Sequence, residues 1–190
     1  MEEILRQFTV NGQPDGILNL APAMISMTNL ETHLKEQIAP QRILAEVLEL
    51  VLADYDFVLV DCHPNLGVLE QNALAAADYL IIPVEPHYLS QFGTADLANF
   101  YEVMKRRINP RLEILGVLFT RVDPRTRISV KVIDNMRKVF GDKIFETQIR
   151  VNTTLAEVPG NTYSIFDYDP KARGAEDYRK LAQEVLGRVR

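Results

Sequence analysis

The 190-residue chain holds one cysteine and three histidines. A lone thiol excludes an internal disulfide and any zinc cluster built from cysteines. The histidines are scattered, with no spacing that suits a metal. No apolar run approaches the roughly 20 residues needed to span a bilayer. The N-terminus lacks the basic-then-apolar order of a signal peptide, so a cytoplasmic protein is expected. None of the nine glycines is followed by lysine, so these residues contain no glycine-rich loop with a phosphate-holding lysine.

What is present suits a soluble α/β domain. Hydrophobic residues make up 47% and charged residues 25%, enough for one sizeable core and an ordinary surface. A single domain over residues 1–190 is expected. Its organising stretch is Tyr55-Asp56-Phe57-Val58-Leu59-Val60-Asp61-Cys62-His63-Pro64-Asn65-Leu66-Gly67. Phe57 to Val60 is an unbroken apolar run, too short for a helix and suited to a buried parallel strand. It ends in a carboxylate followed by Pro and Gly, which marks a strand delivering an acid to a loop. Two readings of Asp61 stand: it caps the next turn, or it holds a hydrated magnesium ion beside a nucleotide at the carboxyl end of the sheet.

The run YDFVLVDCHPNLGVLEQNALAAADYLIIPVEP resembles the Walker B and switch II segment of the ParA/MinD family of partitioning ATPases, close to YDxxxIDxPPxLGxLxxNALxAADxxLIPVxx. Leu115 to Thr126 is similar to the family's GVLLTxxDxRT segment. Ile149 to Pro159 is similar to IPRNxxLxEAP, and Tyr168 to Ala175 to the start of YDPxSxGAxAY. The likeness covers about residues 15–190. It implies a three-layer P-loop NTPase fold, a mostly parallel sheet with helices on both faces, lacking its N-terminal phosphate-loop strand.

Several functional expectations follow from the resemblance. ATP and magnesium are the implied cofactors, with Asp61 on the magnesium through water. Thr120, Arg121 and Asp123, in the loop by the base, and Asn152, near the adenine, are implied nucleotide contacts. A charged surface loop is the other reading of residues 120–123. The motif around Asn152 reads Arg150-Val151-Asn152, without the family's Pro-Arg order, and His63 replaces the first Pro of the switch pair. The family also implies a homodimer that switches with hydrolysis, nonspecific DNA binding and a ParB-like partner. The single cysteine argues against the related iron–sulfur reductases, which need two per chain. Cys62 is expected to be a small buried filler.

In this family the phosphate-loop strand lies between the strand ending at Asp61 and the one ending at Val84. Without it those strands pair directly or leave unpaired ladders, each buried unpaired group costing roughly 1–3 kcal/mol. The chain is therefore expected to be marginal alone: a fragment, a split gene product, or a chain completed by a partner. A noncatalytic interaction module that keeps the dimer and DNA surfaces is the alternative to an ATPase domain.

The net charge of -5 conceals an asymmetry. Residues 1–95 carry three basic and thirteen acidic side chains, whereas residues 96–190 carry eighteen and thirteen. Solvated helix faces account for such a balance. So does a phosphate-contacting surface, for which Arg125, Arg127, Lys131, Lys171 and Arg173 are the candidates.

The remaining elements follow from periodicity. A short helix is expected over Met1 to Thr9, a turn over Asn11 to Gly16 and a strand over Ile17 to Leu20. Thr28 or Asn29 caps a helix towards Gln37. A second helix after Pro40 puts Ile43, Leu44, Val47, Leu48 and Val51 on the sheet. Leu69 to Ala77 reads as a helix with Asn72 exposed or lining the switch, and Tyr79 to Val84 as a buried strand. Ser90 caps a helix to Arg107, and Ile114 to Thr120 is a strand. Ser129 caps a helix through Phe140 that Gly141 stops, and Lys143 to Thr147 is an edge strand. The last helix, Ala175 to Val189, carries Tyr178, Leu181, Ala182, Val185, Leu186 and Val189 in one stripe that packs on the domain, which argues against a membrane role.

Overall fold

The computed structural model describes residues 6–9, 17–22, 30–63, 67–87, 90–158 and 164–189, with backbone alone at 6–9, 17 and 90–98. The expected turn at Asn11 to Gly16, the Thr28 and Asn29 caps, and Pro64, Asn65, Leu66 and Pro159 of the motifs lie outside these residues.

The core is built on one parallel pair. Strand β3 (Tyr79–Val84) and strand β4 (Glu113–Phe119) run side by side from Tyr79↔Glu113 to Val84↔Phe119, with a shift between Leu80 and Ile81. Their apolar runs have both faces to bury, as a parallel strand requires. Helix α4 (Ser90–Arg107) makes the crossover between them. On one face Ile82, Val84, Val117 and Phe119 meet Val132, Ile133 and Met136 of helix α5 (Arg127–Phe140). On the other, Leu115 and Leu118 meet Leu181, Val185 and Val189 at helix α8 (Arg173–Arg188). Leu74 of helix α3 (Val68–Ala76) packs with Tyr101, Met104 and Leu112. The result is a parallel sheet with helices on both faces.

Beyond β4 the chain makes a third, broken ladder where an edge strand over Lys143 to Thr147 was expected. Gly141, at φ 53°, ends α5, and a 3-10 turn over Gly141–Lys143 occupies the start of the expected strand. Contact with β4 and the residues just after it then occurs at intervals: Phe145 N–H donates to Val117 (3.0 Å), Ile149 to Phe119 (2.9 Å) and Val151 to Val122 (3.1 Å). Parallel bridges join Val117 to Ile144 and Val122 to Arg150.

Several expectations are corrected. Residues Arg6–Thr9 are not helical; they form strand β1, antiparallel to strand β2 (Ile17–Leu20). Phe57 to Val60 is neither a strand nor buried: no described residue pairs with it, and Phe57 and Leu59 are 52% and 89% exposed. A strand exists only with a ladder partner, and the neighbour that the resemblance implies has no motif in these residues. Of the two outcomes foreseen for the sheet, the unpaired one holds.

Helix α1 (Leu30–Lys35) is shorter than expected. Helix α2 (Ile43–Leu48) buries no residue and lies against α3 rather than the sheet. Asn72 is not exposed; its amide accepts from Leu44 N–H (3.0 Å) and donates to Pro40 (2.7 Å) and Val68 (2.8 Å). Helix α5 starts two residues before Ser129, at Arg127, with Thr126 in the cap position, and Ser129 is buried with its hydroxyl 2.6 Å from that of Thr126. On α8, Tyr178, Ala182 and Leu186 face solvent, and the packed stripe is Leu181, Val185 and Val189.

Candidate functional site

The parallel pair and the broken ladder end together. Thr120 N–H donates to Val84 (2.9 Å), and Val122 N–H to Ile149 (3.1 Å). Glu85, Arg121, Asp123 and Asn152 therefore stand at or next to three parallel chain ends, where ligands of open α/β sheets bind.

Arg121 adopts the left-handed backbone conformation, φ 51°, which costs a non-glycine residue on the order of 1 kcal/mol. Its Nε lies 3.3 Å from Glu85 Oε1, and both side chains are well exposed. The site thus offers a guanidinium held loosely by a solvated carboxylate, free to exchange it for another anion. Asp123 is engaged differently. Its Oδ1 accepts from Arg125 N–H (3.0 Å) and Nε (2.9 Å), and its Oδ2 from Nη2 (2.8 Å). The Arg125 side chain, then its amide, holds the carboxyl at about 2. Its main-chain carbonyl accepts from Thr126 Oγ1 (3.0 Å). Asn152 opens helix α6 (Thr153–Glu157), its Oδ1 accepting from Leu155 N–H (3.2 Å), which leaves the amide nitrogen as the group to present.

Asp61 follows the exposed, unpaired run, and no described residue makes a hydrogen bond or ion pair with it. No cluster of three potential metal ligands occurs among the described residues. One free carboxylate suits magnesium that keeps most of its water, not an all-protein cage. Cys62 is exposed rather than a buried filler. Partial burial of the sulfur, then the Glu70 and Asp61 charges, raise its thiol above the ordinary value.

The structure thus brings Thr120, Arg121, Asp123 and Asn152 together. Among the basic candidates, Arg125 is occupied by Asp123, while Arg127 and Lys131 are exposed one turn apart on α5. Lys171 and Arg173 are exposed where the turn enters α8. Two residues were missed by sequence reasoning. Glu85 carries the same signal as Asp61, an acid directly after an apolar run. Asp177, buried on α8 and bound to Arg150, has no sequence signal.

This arrangement defines an open α/β protein whose candidate site lies at the carboxyl ends of parallel strands. A family profile described as an AAA domain matches residues 2–114. The Soj sporulation initiation inhibitor of Bacillus subtilis is 39% identical over 168 residues, covering 88% of this chain and 66% of Soj. The chromosome partitioning protein ParA of Myxococcus xanthus is 34% identical over 171 residues, covering 90% of this chain and 60% of ParA. A crystal structure of cobyrinic acid a,c-diamide synthase from Mycobacterium smegmatis, with bound ADP and magnesium, superimposes at a TM-score of 0.78 and 26% identity, covering 97% of this chain and 66% of that one. The chain belongs to the ParA/MinD family of partitioning ATPases and has its P-loop NTPase fold. It spans about two thirds or less of the relatives named.

Proposed function

We propose that the chain forms one ParA-like domain carrying the metal and base sides of a magnesium–ATP site, in a partitioning ATPase of chromosomes or plasmids. The observation that carries this reading is the convergence of Arg121, Asp123 and Asn152 on neighbouring parallel strand ends. Asp61 takes the Walker B role and orders magnesium through water. Thr120 lies beside the nucleotide. Arg121 exchanges Glu85 for a phosphate or base contact. Asn152 presents its amide nitrogen to the adenine. Bound magnesium neutralises charge on the β and γ phosphates. Cationic donors to those phosphates come from outside the motifs present, so a completing segment or partner chain is part of the reading.

ATP binding at a homodimer interface then governs nonspecific DNA binding through Arg127, Lys131, Lys171 and Arg173, with Arg125 joining when released from Asp123. A ParB-like partner, a cytoplasmic location and nucleoid association complete the proposal. No described helix is long and apolar enough to cross a membrane, and α8 uses its apolar stripe on the sheet. The unpaired Phe57 to Val60 run supports a second reading, a noncatalytic interaction module.

Calorimetry of magnesium–ATP with the purified chain, using Asp61→Ala as control, tests the first reading. Binding that the variant weakens supports it. No binding leaves the interaction module, for which DNA binding indifferent to ATP is the expected signature.

A further inference from the structure

Two elements hold the segment that leads into Asn152. From one side Phe119 of β4 takes the N–H of Ile149 (2.9 Å), and Val122, just beyond β4, takes that of Val151 (3.1 Å). From the other, α8 grips the residues on either side of Asn152. Asp177, 4% exposed, accepts from Arg150 N–H (3.1 Å), from Nε (3.0 and 3.2 Å to its two oxygens) and from Nη2 (2.6 Å). One carboxylate therefore fixes both the main chain and the side chain of Arg150. Glu176 stands further off, 3.6 Å from Nη2. Three residues earlier on α8, Gly174 presses on Leu155: a Cβ there would lie 2.5 Å from Leu155 Cγ. Leu155 is the residue whose amide Asn152 caps.

We infer that Asp177 is a positioning residue for the Asn152 segment: through Arg150 it sets the path of residues 149–155, and with it the direction in which Asn152 meets the strand ends. The inference rests on the nucleotide reading only for what Asn152 then touches. Its mechanical content is independent. A buried carboxylate that takes four hydrogen bonds from three donors is a strong, directional hold. Besides this hold the segment has spaced ladder bonds, the Asn152 cap and the packing of Ile149 and Leu155, and Arg150 stands where the family pattern has a conformation-fixing proline.

Hydrogen exchange on the whole chain, read residue by residue, tests the hold. In Asp177→Ala the amides of residues 150–157 exchange at least tenfold faster while Val117 and Phe119 keep their protection. Asp177→Asn, close in shape, shows the same pattern more weakly should the alanine variant not fold. The exchanged pair Arg150→Asp with Asp177→Arg restores part of the protection. Uniform acceleration across β4 and 150–157, or no change at 150–157, overturns the inference. In a second arm, Asp177→Asn weakens ATP several-fold and leaves inorganic tripolyphosphate unchanged; equal loss of both overturns the role of Asn152 orientation. If the parent chain binds no ATP, the nucleotide reading fails and the exchange arm alone decides the hold.

Discussion

A Cβ on Gly116 would stand 2.6 Å from Cε2 of Phe145 and 2.8 Å from the carbonyl oxygen of Lys143. Phe145 is fully buried, and its ring lies under the Arg188 guanidinium at 4.2 Å. Neither the ring nor the main-chain oxygen can retreat cheaply in a close-packed interior. Gly116→Ala is expected to cost about 1–3 kcal/mol, the usual penalty of overpacking. Urea denaturation reads the loss, and an unchanged midpoint contradicts it.

The Arg125 side chain and amide hold the Asp123 carboxyl at about 2. A lowered carboxyl pKa makes the folded state favourable above the ordinary carboxylate range, near 4, and the advantage is lost as pH falls from there through about 2. A carbon-detected NMR titration is expected to place the Asp123 midpoint near 2 in the parent. In Arg125→Ala the midpoint returns towards the ordinary range. A parent midpoint near 4 would show the contact absent in solution.

Ala39 is exposed and adopts φ 51° between α1 and α2. A side chain there meets the steric penalty of the left-handed region, which glycine escapes. Ala39→Gly is expected to raise stability by about 0.5–1 kcal/mol despite the larger entropy of the unfolded glycine chain. A fall in the denaturation midpoint would contradict this.

Leu59 is 89% exposed in a run that has no ladder partner. An apolar, β-prone segment with free main-chain groups is a template for pairing between molecules. Leu59→Lys is expected to leave the unfolding free energy within about 0.5 kcal/mol, as for an exposed site. Concentration-dependent association seen by sedimentation should weaken. A large loss of stability would show Leu59 packed in solution.

Strands and helices whose partners lie within the chain were legible. Tyr79 to Val84 and Ile114 to Thr120 are apolar runs that find one another, and the α5 pattern stops at Gly141 as expected. The Phe57 to Val60 run has the same composition and misled because burial of a strand depends on a neighbour, which local pattern does not encode. At the candidate site the four motif residues came from resemblance, and the geometry sets them on adjacent strand ends. Asp177 could not be read because its meaning lies wholly in Arg150, distant in the chain and itself noticed only as a departure from the family motif. The quoted pattern has alanine at the position of Asp177 and proline at that of Arg150. The two departures meet in one ion pair.

Helix α3 is moored at both ends by buried asparagines. Asn72 ties its first turns to Pro40 and Leu44, and Asn109 donates to the carbonyls of Leu74 (2.9 Å) and Ala77 (2.7 Å) at its far end. Pulling α3 away from its neighbours would break these bonds at one end or the other, so the helix is joined as one unit to the start of α2 and to the turn that follows α4.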